Sequence, residues 1–222
     1  MRQRILKRFV MTIVVMLLLP SCLKEGDTTV LVQDPQMIPL ITDYLPEDLL
    51  LLFGEENVHF GYRPPVVDME FKSQHEFVAT NLEQPYGPQP GEHSPITYFH
   101  KLSHQYFQEA DYAGMTSEET RCHLVSPVYL MGNGNDFTVY YYEVLKTEGS
   151  PEHAVLMSGT LTERGIKDFT YGYKIMGYKG TDVPNTATPV NTIFIFRDWD
   201  GMAEKYSWFD DNLLNHQKLE EP

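Results

Sequence analysis

The sequence of 222 residues contains only two cysteines and two tryptophans, and its 17 basic residues are far outnumbered by 31 acidic ones. Two cysteines exclude a scaffold that depends on several disulfides. A formal charge of −14 argues against nucleic acid as a partner, because no excess of lysine and arginine is available to neutralise phosphates. The hydrophobic fraction of 42% is that of a globular chain rather than a disordered one.

Long hydrophobic runs are also missing. The longest apolar segment, residues 9–19, has eleven residues and is interrupted by Thr12, whereas a membrane-spanning helix needs about 20. Four basic residues precede this segment within the first eight positions. A basic start followed by a short apolar core is typical of a secretory signal peptide, which we predict for residues 1–21.

Residues 19–22, with the sequence LPSC, resemble the lipobox of bacterial lipoproteins. In that family the cysteine is acylated and becomes the first residue after cleavage, so the resemblance predicts a lipid on Cys22. Residues 23–27 (LKEGD) are similar to the surface-export signal of Bacteroidetes-type lipoproteins. The implied location is the outer membrane, lipid-anchored and facing the outside of the cell. The alternatives are the periplasmic face, or an ordinary signal peptide or uncleaved anchor with an incidental Cys22.

Beyond the lipobox we predict two parts. Residues 22–44 are polar and contain two prolines, so we interpret them as the acylated N-terminus and a flexible tether. Residues 45–222 are predicted to form a single β-rich domain. This domain begins with a short helix, because Pro46 suits the first helical position, acidic residues follow it, and Gly54 suits the position after the last turn.

The rest of the domain is rich in β-branched and aromatic residues, arranged in short segments that are separated by turn residues such as those at 132–135. In residues 169–178 the alternation is strict, so that Phe169, Tyr171 and Tyr173 share one face. The pattern predicts an all-β fold, an antiparallel meander that forms a lipocalin-like barrel or a sandwich. The predicted strands are residues 58–62, 66–71, 96–107, 121–131, 136–146, 154–161, 169–178 and 192–196.

Two further segments carry predictions of their own. Residues 109–120 are polar, and we interpret them as a turn region. Apolar residues recur at three- or four-residue spacing from Met202 onward, which predicts a C-terminal helix to about Leu219. The chain shows no internal repeat, which agrees with one domain.

Four segments together resemble a group of uncharacterised Bacteroidetes-type lipoproteins. They are residues 61–65, 132–140, 158–166 and 196–201. Members of that group share a lipobox, a Pro-Pro segment after a short helix and a run of antiparallel strands. The resemblance covers roughly residues 45–205 and implies a lipocalin-like barrel or a related sandwich. It implies no activity, and no functional residue is transferred from it.

Acidic and histidine residues supply two candidate metal sites. Asp198, Asp200 and Glu204 lie close together after a predicted strand, and hard cations such as Ca²⁺ prefer carboxylate oxygens. The alternative for these residues is a turn capped by aspartates. His100 and His104 would suit zinc on one helix face. They also alternate as strand residues do, which would place them roughly 13 Å apart.

Tyrosine is abundant, with 14 residues, and it offers the best candidate binding surface. Tyr140, Tyr142, Tyr171 and Tyr173 fall on neighbouring predicted strands. Exposed tyrosine rings bind sugars and apolar ligands by stacking. The alternative is a tyrosine-rich core whose hydroxyl groups reach the solvent.

No pattern indicates catalysis or a cofactor. The chain has no Gly-x-Ser-x-Gly elbow and no phosphate-binding loop, and the apolar surroundings of Cys122 favour an inert thiol. We therefore expect a non-catalytic module that binds a small apolar or carbohydrate ligand and reaches the membrane through its lipid. The alternative is a structural or accessory subunit that docks on another envelope protein, and a hydrolase is the third hypothesis.

Overall fold

The structure is a computed structural model that describes residues 45–83, 88–117, 122–144, 147–180, 183 and 187–207. The predicted signal peptide, Cys22 and the tether lie outside these residues. No helix in the described part of the chain is both long enough and apolar enough to cross a membrane.

The described segments contain one α-helix and ten strands. Helix α1 spans Glu47–Phe53, and a short 3-10 helix follows at Glu55–Asn57. The strands are β1 Tyr62–Arg63, β2 Met69–Thr80, β3 His93–Tyr106, β4 Glu109–Thr116, β5 His123–Asn133, β6 Asp136–Val144, β7 Pro151–Thr162, β8 Gly165–Tyr178, β9 Ile193–Asp198 and β10 Met202–Lys205.

Successive strands from β2 to β9 pair antiparallel, and the pairing closes into a ring. Each strand is hydrogen-bonded to the next along the chain. Strand β9 also pairs with β2, which completes a circuit of eight strands. After a turn, β10 takes the same place between β2 and β8. Strand β1 pairs in parallel with the end of β5, so the sheet is mixed. The prediction of an all-β fold is confirmed.

The prediction of a turn region at residues 109–120 is wrong for the first eight of them, which form β4. Ala110 and Tyr112 are buried inside the ring, while Ala113 and Met115 are buried in a cluster with Phe99 and Cys122. Alanine and glycine are poor strand formers on their own. Here tertiary packing overrides that preference, because both faces of the strand are covered.

The predicted C-terminal helix is wrong at its start, where Met202–Lys205 forms β10. Ala203 is buried within the ring, and Glu204 lies opposite Lys72 of β2. Beyond the end of β9, the backbone N–H and C=O groups of β2 and β8 face each other across a gap. A strand in that gap pairs both edges, which a helix does not do. Residues 208–222, the rest of the predicted helix, lie outside the described part.

Helix α1 forms as predicted, directly after Pro46 and before Gly54, whose φ of 91° suits glycine. It covers the outer face of the ring over β8 and β9. Leu49 and Phe53 are its buried residues. The outer cluster that they join contains Leu45, Val58, Met131, Tyr140, Ala154, Leu156, Ile193 and Ile195.

Inside the ring, an apolar core fills the end near the β3–β4, β5–β6 and β7–β8 turns. This core includes Val67, Phe71, Leu102, Val128, Leu130, Phe137, Val139, Val155, Met157, Ile166 and Phe169. Toward the other end the inward side chains become tyrosine and histidine. The change from aliphatic to polar aromatic residues marks the position of a cavity.

Candidate functional site

A cavity of about 360 Å³ lies inside the ring beyond the apolar core, and it is partly open to solvent. All eight strands of the ring contribute residues to its wall. Because strand residues alternate in direction, the inward positions are every second residue. They include Tyr141 and Glu143 on β6, and Tyr171 and Tyr173 on β8. The volume falls in the range of protein sites for small molecules.

Aromatic rings make up much of the wall. Tyr171, Tyr173 and Phe196 contact one another in a triangle, with ring centroids 5.9–6.4 Å apart. Tyr98 stacks on His75 at 3.9 Å. Burial raises the pKa of Tyr171 and of Tyr173 well above the ordinary value. These tyrosines therefore keep their hydroxyl protons at neutral pH, and they present neutral rings to the cavity.

Buried polar groups next to the aromatic wall form a hydrogen-bonded chain. Ser73 Oγ lies 3.0 Å from Nε2 of both His75 and His100. Nδ1 of His100 lies 2.9 Å from the hydroxyl of Tyr112, and Tyr112 in turn is hydrogen-bonded to Tyr141. This series of hydrogen bonds gives the buried polar groups their partners, and none of these partners is an ionised side chain.

Both buried histidines are neutral at physiological pH. Burial lowers the pKa of His100 to about 3. Burial also lowers the pKa of His75, and the proximity of His100 adds to the effect. Ser73 beside two imidazoles has the parts of a nucleophile and its base. Within the described residues, however, no carboxylate hydrogen-bonds either ring, and Ser73 is 2% exposed. The cluster therefore suits a structural role.

Glu143 lies at the end of β6, where it lines the cavity together with His153 of β7. Nδ1 of His153 is 3.4 Å from Oε2 of Glu143, and the two side chains are 18% and 15% exposed. An ionised carboxylate only accepts hydrogen bonds, so the imidazole is the donor in this contact. The long distance and partial exposure make it a weak orienting contact.

The four predicted binding tyrosines divide into two pairs. Tyr171 and Tyr173 line the cavity. Tyr140 and Tyr142 lie on the opposite face of β6, where Tyr140 is buried in the outer cluster and Tyr142 packs against it. The Tyr142 hydroxyl donates a hydrogen bond of 2.7 Å to Glu152. The structure therefore does not bring the two pairs together.

The three predicted metal ligands line a separate cavity of about 180 Å³ at the β9–β10 turn. Asp198 accepts hydrogen bonds from the backbone N–H groups of Gln74 (3.0 Å) and Met202 (3.2 Å). Glu204 forms an ion pair of 3.2 Å with Lys72. Within the described residues, no group of three or more His, Cys, Asp or Glu side chains is arranged to hold a metal ion. Asp198 therefore acts as the cap of a turn.

His100 and His104 do not share a site. The backbone of His104 has a φ of 54° within a register shift of β3, and its side chain is 81% exposed beside Asp111. His100 is buried inside the ring. The thiol of Cys122 is half-buried and lies 3.6 Å from the sulfur of Met115.

Sequence reasoning missed most of the cavity wall. The missed residues include His75, Tyr98, Tyr112, His123, Tyr141, Glu143, His153 and Phe196. In β6 the alternation of a strand gives Tyr141 and Glu143 one parity and Tyr140 and Tyr142 the other, but the sequence does not tell which set faces the cavity. Which parity faces inward depends on the neighbouring strands.

This chain matches no protein-family model, no curated protein and no solved structure.

Proposed function

We propose that the protein is a non-catalytic binding module that holds one small ligand with a largely apolar surface in the cavity of the ring. The observation that carries this proposal is the aromatic wall around Tyr171, Tyr173 and Phe196, which borders an internal space of about 360 Å³. Aromatic rings bury apolar surface and also stack on the apolar face of a sugar. Both ligand classes expected from the sequence are compatible with such a wall.

We further propose that the ring is a lipocalin-like barrel. Its support is the closed circuit of eight strands that are antiparallel neighbours in chain order. Barrels of this size hold one small ligand in their interior. In this proposal the apolar core closes one end and the ligand enters from the other.

The location proposed for the module is the outer surface of an outer membrane, with a lipid on Cys22. Support comes from the sequence alone, from the basic start, the short apolar segment and the lipobox-like residues 19–22.

Tyr106 and Phe107, at the β3–β4 turn, are 82% and 79% exposed. These exposed rings favour the second candidate function, an accessory subunit that docks on an envelope protein.

Ligand binding is tested by thermal-shift and calorimetric screens of the protein purified from bacteria that express the full chain. Detergent is exchanged for nanodiscs so that it does not compete for the cavity. The panel contains monosaccharides, neutral aromatic compounds and aliphatic amphiphiles. A ligand at 100 times its dissociation constant stabilises the protein by about 2.7 kcal/mol, which corresponds to a shift of several degrees.

Two matched variants locate the binding site. We expect Tyr173→Leu to lower the affinity for a ligand found in the screen by about tenfold, because the substitution removes an aromatic ring from the wall of the cavity. Tyr142→Leu removes a half-buried tyrosine from the opposite face of the sheet and should leave the affinity unchanged. Equal losses in both variants, or no binding by any compound of the panel, would contradict the proposal and favour the docking function.

A further inference from the structure

The cavity has an uneven distribution of charge. With histidine counted as neutral, Glu143 is the one charged residue among the described residues that line it. No lysine or arginine of the described part reaches the wall. A ligand with a carboxylate or phosphate group would therefore meet a like charge and find no cation to pair with.

One carboxylate together with several neutral aromatic rings favours one class of ligand, a cation. Aromatic faces attract cations through their quadrupole, most strongly where water is excluded. A carboxylate beside them balances the charge that the ligand brings into the cavity. We propose that the ligand is a small organic cation, a quaternary ammonium or a protonated amine. The charge of this cation faces Glu143, and its apolar substituents contact Tyr171, Tyr173 and Phe196. This inference rests on the proposed binding function.

The buried polar groups of the wall agree with this ligand class. His75 and His100, whose pKa values are lowered by burial, bring no positive charge that would repel a cation. The negative charge of Glu143 contributes to the raised pKa of both Tyr141 and Tyr171, after burial and neighbouring tyrosines. Its electrostatic field therefore extends along the wall.

The contact with His153 leaves this charge in place. The contact is long, at 3.4 Å, and it occupies only one of the two oxygens of the carboxylate. The whole chain adds a field of the same sign, with a formal charge of −14. Such a field raises the local concentration of cations and speeds their association at low salt.

The test compares choline with 3,3-dimethylbutan-1-ol, its uncharged carbon isostere, by titration calorimetry on the same nanodisc preparation. Both compounds have nearly the same shape, so a difference in affinity reports the charge. We expect choline to bind at least about tenfold more tightly. In Glu143→Gln this preference should fall at least about tenfold, while the affinity of the isostere stays unchanged. The unchanged isostere shows that the cavity of the variant is intact.

Glu152→Gln is the matched control, because it removes the same charge from the neighbouring strand at a residue that contacts Tyr142 outside the cavity. It should keep the preference for choline. Equal affinity for the two compounds, or a preference that survives Glu143→Gln, overturns the cation inference but leaves the binding function standing. Absence of choline binding also overturns it. The panel screen with Tyr173→Leu then decides separately whether the cavity binds any ligand.

Discussion

His100 shows how burial of one side chain makes the stability of the whole fold depend on pH. Its pKa is about 3 in the folded protein, against 6.5 when it is not buried. Between these values the unfolded chain binds more protons, so the free energy of unfolding falls as the pH decreases from 6.5 toward 3. Above pH 6.5 His100 is neutral in both the folded and the unfolded state, so it does not lower the free energy of unfolding. At pH 5 it lowers the free energy of unfolding by about 2 kcal/mol.

We expect His100→Gln to flatten this pH profile between pH 7 and 4, because glutamine does not titrate and still offers a donor and an acceptor to Ser73 and Tyr112. Urea denaturation at several pH values measures the profile. His104→Gln is the control, since His104 is 81% exposed, and it should follow the wild-type curve. A profile of His100→Gln parallel to the wild type would contradict the assignment.

At the scale of elements, helix α1 packs closely on the ring at Gly172 of β8. A Cβ atom at this position would lie 2.9 Å from the ring of Phe53 and 2.7 Å from Ile195. Nearby, Lys174 forms a hydrogen-bonded ion pair of 2.7 Å with Asp48 of the helix. Helix α1 is too short to be stable alone, so it depends on this contact with the sheet.

Gly172→Ala should therefore force the helix away from β8 and lower the free energy of unfolding by about 1–3 kcal/mol, as other overpacked sites do. Gly177→Ala, on the same strand, is the control. Its Cβ would meet only the carboxylate of Glu152, at 3.4 Å. Chemical denaturation compares the two variants. If Gly177→Ala were as destabilising as Gly172→Ala, the contact with Phe53 would not be the cause.

At the scale of the whole molecule, the net charge opposes the membrane attachment that we propose for Cys22. The chain has a formal charge of −14, which repels an anionic membrane surface. We expect membrane attachment to depend on the acyl chains at Cys22, because each buried methylene group contributes about 0.8 kcal/mol.

Cells that express the full chain and are fed an alkyne analogue of palmitate test this dependence. The wild-type protein should be labelled and should sediment with membranes, and Cys22→Ser should lose both properties. Cys122→Ser removes the other cysteine and should behave as the wild type. A labelled Cys22→Ser variant, or a variant that stays in the membrane fraction without label, would show that attachment has another origin.

Short-range features were predictable from the residues themselves. Helix α1 with its Gly54, the turn between β5 and β6 around Gly134, and the alternation within β8 follow from the backbone preferences of a few neighbouring residues. The all-β class follows from the same preferences repeated along the chain. These predictions needed no knowledge of distant contacts.

Only the tertiary structure decides which side of each strand faces the cavity. Strand β6 is buried on both faces, by the ring interior on one side and the outer cluster on the other. Its hydrophobic pattern therefore carries no sign of direction, and Tyr140 and Tyr142 could not be told from Tyr141. Strand β4 is also covered on both faces, and its sequence led to the wrong prediction of a turn. At β10 the residues have the spacing of a helix, but they form a strand because they pair with both β2 and β8. The cavity exists because residues far apart in sequence close one ring, and this long-range pairing is not encoded in any single segment.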